Sequence, residues 1–323
     1  MELKDRDIGV DILKCIAAIL ITNSHMDVLY IHPYKSLATG GAIGDALFFF
    51  VTGFLLFLKP MGSFDNWYKK RVNRIYPTVF AWGILGSLFF DVEGDIVYIL
   101  LFGGGWFVTC IMCYYVVIYF INYFLKEQLL LSWVLSAIIV VVSFIFIERP
   151  QGYNMYDYTY FKWVFFFLFL LLGAIIGKSQ KTITYHFSLD LLKLMSCILI
   201  YYAILIGSKK ITGMEDVQIM SLIPLLGITF YFYKIAKSAP LKKLFYNKWG
   251  GIFIKVIGGL CLEIYLVQFV LFTGAWNHYF PLNLVGMFLV ILACAYILRC
   301  TSRLFSQTFK EQSFNWPAVF SIY

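Results

Sequence analysis
A lysine and a histidine, residues that handle anions and protons, stand eleven positions apart in the otherwise apolar stretch IGVDILKCIAAILITNSHMDVLY, from Ile8 to Tyr30. Ionisable groups are costly in a stretch long enough to cross a bilayer, so they need a reason. Eleven helical steps of about 100° return Lys14 and His25 to within about 20° of one face, about 16 Å apart. One helix therefore carries a cation near one membrane surface and a titratable imidazole near the other, with Asp11 and Asp27 on the same stretch. When the chain turns back, Asp45 opens the next apolar run at a depth close to that of His25. A carboxylate accepting from one imidazole nitrogen fixes the tautomer and raises basicity at the other, which prepares a general base. The competing reading is a packing histidine satisfied by a neighbouring carbonyl.

After the second apolar run comes WYKKRVNRIYP, with Lys69, Lys70, Arg71, Arg74 and Pro77. Arg71 and Arg74 are three apart and share a helical face, so two planar guanidinium forks point at one place, as phosphate or pyrophosphate requires. The same residues also suit an ordinary basic loop at the inner surface. Further on, GGLCLEIYLVQF sets Glu263 beside Tyr265 and Gln268. In a straight helix from Ile252, Glu263 lies about 16 Å deep, where a carboxylate pairs with a basic group on another helix or stays protonated. Trp106, next to Gly103, Gly104 and Gly105, either lines a cavity or belongs to the interfacial aromatic belt. Two further aromatic groups, Tyr153, Tyr156, Tyr158 and Tyr160, then Trp276, His278 and Tyr279, can stack on sugar rings or simply mark an interface.

The elements that must position these residues are membrane spans. Of the 323 residues, 61% are hydrophobic and 14% charged, and the mean hydropathy is +0.80, far from soluble domains with about a quarter of their residues charged. Runs of bilayer-spanning length are predicted at Ile8 to Tyr30, Ala42 to Leu58, a short third at Tyr76 to Phe90, Gly105 to Leu125 and Leu129 to Ile147. Five more follow at Tyr160 to Gly177, Leu191 to Ile206, Val217 to Tyr233, Ile252 to Phe272 and Leu282 to Arg299. The fold class expected is thus all-α, a polytopic bundle of about ten transmembrane helices in a single membrane domain over 1–323. Ile96 to Phe102 is too short to cross and reads as interfacial or re-entrant. The first run is too long and too charged for a cleaved signal and reads as a retained span.

With an inward N-terminus, all 26 Lys and Arg except Lys35, Arg149, Lys162, Lys209 and Lys210 fall on or near the inner side. That bias places both termini in the cytoplasm, with Asp91, Glu93, Asp95 and the loop Glu148 to Tyr160 outside. The net charge of +8 therefore reflects topology rather than nucleic-acid binding. Seven cysteines in or beside apolar runs read as packed thiols, and the Cys110/Cys113 pair has no second pair to make a metal site.

Taken together these residues resemble the integral-membrane acyltransferase 3 family, bacterial proteins that O-acetylate or otherwise acylate cell-surface and secreted glycans. Lys14 to His25 matches its R/K-x10-H pattern, and GDALFFFVTGFLL is similar to its FF-x-x-SGF segment, with Thr52 where serine is usual. Arg71 and Arg74 match its RxxR, GGWFVTCIMCYY resembles its W-F-rich span, and LEIYLVQ resembles its late IYL-x-H segment, with Gln268 replacing the common histidine. The resemblance implies transfer of an acyl group, usually acetyl from cytoplasmic acetyl-CoA, to a hydroxyl of a cell-surface or lipid-linked saccharide at the bacterial cell membrane. It makes His25 the essential residue and puts Lys14, Arg71 and Arg74 on the acyl-CoA side, while Asp45 stays its catalytic partner on the depth argument above. Asp11, Thr52, Trp106, Glu263, Tyr265 and Gln268 become candidate cavity-lining residues. Acyl-CoA is then a donor substrate, membrane lipid is the solvent, and neither a metal nor a resident cofactor is expected. The alternative from another class is a transporter or flippase for a lipid-linked sugar, since buried charges in many helices also mark carriers.

Overall fold
A computed structural model describes residues 7–58, 61–90, 95–125, 128–149, 153–157, 159–211, 213–309 and 313–322. Lys4, Arg6, Lys59, Asp91, Glu93, Lys126, Tyr158 and Lys310, used above for topology or aromatic contact, lie outside the described residues. Among the described residues there is no strand, and the α-helices are α1 Ile8–His25, α2 Gly41–Leu56, α3 Phe64–Phe89, α4 Ile96–Leu101, α5 Gly105–Phe124, α6 Leu129–Phe146 and α7 Thr159–Ser179. They continue as α8 Phe187–Lys210, α9 Leu222–Ala236, α10 Ala239–Tyr246, α11 Lys248–Gly259, α12 Cys261–Leu271, α13 Leu282–Thr308 and α14 Trp316–Phe320. Eight stretches, those holding α1, α2, α5, α6, α7, α8, α9 and α13, are long and apolar enough to cross a membrane, and a ninth is made by α11 with α12. The protein is an all-α, multi-pass membrane protein.

Two predicted spans take a different form. The short third run is the apolar half of the 26-residue α3, which begins at Phe64 and carries Asp65 in its first turn. The basic run WYKKRVNR is thus helical and continuous with the apolar half. The ninth run is not straight: α11 and α12 meet at 73°. Gly258 and Gly259 precede the break, and paired glycines end helices readily because they gain least from helical backbone. Glu263 therefore sits in the first turn of a new helix, not within a continuous one as the straight-helix reading assumed.

The chain divides into two units, each with its own core. The first holds Met1–Leu13, Ala42–Pro60 and Val117–Gly251. Its centre is aromatic: Phe49, Phe50, Phe54, Phe161, Phe165, Phe166, Phe169 and Tyr233 are fully buried. Helices α2 and α7 meet backbone to backbone, since a Cβ on Gly53 would stand 1.8 Å from the Leu170 carbonyl oxygen and one on Gly173 would stand 1.9 Å from that of Phe50. Lys234 pairs with buried Asp190 at 2.6 Å, and Lys237 pairs with Asp7.

The second unit holds Lys14–Gly41, Met61–Val116 and Ile252–Tyr323. Helix α13 packs on α3 and α12, and Thr78 and Ser302 share a buried hydrogen bond of 2.9 Å between α3 and α13. Asn23 ties down the loop that follows α1, donating to the carbonyls of Leu37 and Thr39 at 2.8 and 2.9 Å while accepting from the Tyr30 hydroxyl at 2.6 Å. Asn277 and Asn283 donate to the carbonyls of Val28 and Leu29 at 2.9 and 2.8 Å, lacing the 273–281 loop and the start of α13 onto it. At the other end of α13, Arg303 donates to the carbonyls of Ala318 and Ser321, and the Tyr296 hydroxyl donates to that of Phe320. This seats α14 with Val319 fully buried.

Candidate functional site
The second unit gathers most of the candidate residues, at two levels. At the first, α12 begins with Cys261, and the charges of Lys14, Glu263, Arg299 and Arg74 all bear on its sulfur. Three cations, from α1, α13 and α3, and one carboxylate thus lie within electrostatic reach of one thiol. Glu263 is 1% exposed and accepts two parallel bonds from Arg299, Nε to Oε1 at 2.6 Å and Nη2 to Oε2 at 2.7 Å. The basic group expected on another helix is therefore Arg299. Its Nη2 also donates to the Gly259 carbonyl, one of the oxygens left unsatisfied where α11 ends. One guanidinium completes the end of α11 and neutralises the start of α12, which holds the break open.

Arg71 and Arg74 occupy the basic half of α3, and the charges of both bear on the buried Tyr115 hydroxyl of α5. The Arg71 guanidinium lies 3.9 Å over the Trp67 ring and donates to the Trp67 carbonyl at 2.7 Å, so packing one turn back orients it. Arg74 is exposed. Lys14, Arg71 and Arg74, predicted to act on one anion, are thus brought to a single region of one unit, joined by Arg299. A guanidinium pair, an ammonium and the first turn of a helix suit a phosphate-bearing ligand.

At the second level stands His25, the last residue of α1 and half-buried. Its ring meets the edge of Phe269 at 4.7 Å and 61°. Phe269 is 50% exposed, so the imidazole is not sealed inside the unit. From Phe269 the rings run on to Tyr265 at 6.1 Å, Phe107 at 5.7 Å and Trp106 at 6.0 Å. The candidates Trp106, Tyr265 and His25 are linked through this ladder. The Tyr265 hydroxyl accepts from the Phe107 N–H at 3.5 Å, in the first turn of α5, where such donors lack helical partners. Gly105 makes the approach possible: its φ is +62°, and a Cβ there would stand 2.7 Å from the Tyr265 oxygen. Gln268, one position before Phe269, is fully buried, and neither its Oε1 nor its Nε2 has a hydrogen-bond partner.

Three candidates belong to the first unit. Asp11 is buried in the first turn of α1. Asp45, in α2, is half-buried, and its charged and phenolic neighbours there are Lys162 and Tyr201. Thr52, also half-buried, adjoins Gly53 at the α2–α7 contact. Of the residues not singled out from sequence, Arg299 had been counted only toward topology. A buried carboxylate signals that a cation exists, but nothing along the chain says which one, 36 residues away. Cys261 and Phe269 gave no signal, since a thiol and a phenyl ring in apolar helices are ordinary packing residues.

A model of the acyltransferase 3 family, described as an acyltransferase domain, matches residues 7–300. No curated protein and no solved structure matches the chain.

Proposed function
The chain belongs to the acyltransferase 3 family, and from that premise we propose that it moves an acyl group, acetyl in the simplest case, from acyl-CoA to a hydroxyl of a cell-surface or lipid-linked glycan at a bacterial cell membrane. The observation that carries this reading is the pairing of two levels within one unit. Lys14, Arg74 and Arg299 bear on one thiol at the start of α12, while a half-buried imidazole closes the same α1 helix about 16 Å further on. The CoA phosphates are held at the cationic level, reached from the cytoplasm, and the extended arm carries its thioester toward His25. The acceptor enters from the opposite side, past the loops tied by Asn23 and Asn277. His25 takes the hydroxyl proton, the oxygen attacks the thioester carbonyl, the C–S bond breaks and the thiolate leaves with a proton. In a second route His25 itself carries the acyl group between donor and acceptor.

His25→Ala tests the reading: expression should be normal and O-acyl groups on the surface glycan, read by mass spectrometry, should vanish. Full acylation by that variant would remove His25 from the chemistry. Arg71→Ala with Arg74→Ala should weaken CoA binding by about tenfold or more, the scale of lost charge-assisted bonds. Unchanged binding would move the donor site elsewhere.

One observation favours the carrier reading: a broken helix is also what carriers place at their substrate sites. Carriers repeat the break in a second half, and among the described residues there is a single such pair. Transport of a lipid-linked sugar without acetyl-CoA consumption would decide for it.

A further inference from the structure
Gln268 and Thr22 share a condition unusual for polar groups. They are 0% and 1% exposed, and the Gln268 Oε1, the Gln268 Nε2 and the Thr22 Oγ1 all lack hydrogen-bond partners. Buried polar groups are nearly always paired, and an exception calls for a cause. For Thr22 the contrast is internal. Thr229, Thr301 and Thr308 each donate to the carbonyl four residues back, at 2.9, 3.0 and 3.0 Å, the usual resort of a helical hydroxyl. Thr22 has the same carbonyl to hand and does not use it.

The two orphans also lie at one level. Helices α1 and α12 run the same way: near their starts Lys14 lies within electrostatic reach of Cys261, and at their other ends His25 touches Phe269 and Asn277, beyond α12, donates to the Val28 carbonyl, beyond α1. Thr22 is three residues before His25 and Gln268 one before Phe269, so along the axis they stand about 4.5 and 1.5 Å short of the His25–Phe269 contact. Both are on the cationic side of the imidazole. An acyl group arriving from the Lys14 end meets them just before it meets His25, whereas an acceptor arriving past the loops meets His25 first.

We infer that Gln268, assisted by Thr22, holds the acyl carbonyl. The Gln268 Nε2–H donates to the thioester oxygen of bound acyl-CoA, and the Thr22 hydroxyl donates to it from α1. When the acceptor oxygen adds to the carbonyl carbon and its proton passes to His25, the π electrons move onto the carbonyl oxygen, where the same donors stabilise the charge. Collapse restores the C=O bond, expels the CoA thiolate and returns the proton from His25 to sulfur. A neutral amide suits this place, since it imposes no charge on the resting protein yet stands ready where charge develops. This inference rests on the acyl-transfer reading above.

Gln268→Met keeps the volume and removes the donor; Thr22→Val does the same on α1. The assay is CoA release from acetyl-CoA in inverted vesicles of the cell's own membrane, with CoA affinity and melting temperature measured on purified protein. Gln268→Met should melt no lower than wild type and bind CoA unchanged, because free CoA has no acyl carbonyl, while kcat falls about 100-fold or more, the scale of one lost oxyanion donor. Thr22→Val should lose less, with the same unchanged CoA affinity. A Gln268→Met kcat within threefold of wild type overturns the inference and leaves a bridging water as the occupant. So does a joint loss of CoA affinity and melting temperature in both variants, which would mark packing residues. If wild-type vesicles release no CoA, acyl transfer itself fails, separately from the role of Gln268.

Discussion

At the scale of single residues, the Glu263–Arg299 pair does most to set the cationic level. Its carboxylate has a side chain 2% exposed and its guanidinium one 18% exposed, so removing the guanidinium leaves a carboxylate that water cannot reach. Arg299→Met should therefore destabilise the protein by about 3–5 kcal/mol, read as a lowered melting temperature in detergent. Glu263→Met in the same chain should recover much of that loss, because an apolar pair of similar volume suits the site about as well as the ion pair. If the double variant melts as low as the single one, Arg299 acts chiefly through the Gly259 carbonyl.

At the scale of elements, close approach rather than side-chain volume fixes the first unit. Where α2 crosses α7, Gly53 leaves no room for a methyl group, with the Leu170 carbonyl oxygen 1.8 Å from where it would sit. Gly53→Ala must push the helices apart and should cost at least the 1–3 kcal/mol typical of overpacking. Gly207 in α8 is the control, since nothing lies within 4 Å of a Cβ there. Gly207→Ala should raise stability by about 0.5–1 kcal/mol by restricting the unfolded chain and favouring the helix. Equal melting temperatures for the two variants would mean that α2 and α7 can part without loss.

At the scale of the whole molecule, apolar run length announced the spans because a bilayer demands about twenty apolar residues whatever their neighbours do. It missed the full extent of α3 and the bend between α11 and α12 for local reasons. A helix does not stop where charge begins, so the basic run continued α3 outward to Phe64. Two glycines inside an apolar run look harmless in a hydropathy sum yet allow a 73° turn. The Lys14–His25 stripe was readable because both residues ride one helix with a fixed period. The identity of the partner for Glu263 was not, since contacts between distant segments leave no periodic trace. The orphaned Thr22 and Gln268 are further still from view, for only atomic positions reveal a donor left without an acceptor.

The seat of α14 carries a consequence for anyone who edits the tail. The Ile322 carbonyl oxygen lies 3.1 Å from where a Cβ on Gly259 would sit, so residues 313–322 brace the α11–α12 corner from outside, as a doorstop does. Arg303→Ala, which takes the donor from the Ala318 and Ser321 carbonyls, should open residues 313–322 to protease while wild type resists cutting there. Trimming or loading that end of the polypeptide would then unsettle a corner some sixty residues upstream, and with it the Arg299–Glu263 pair that spans it.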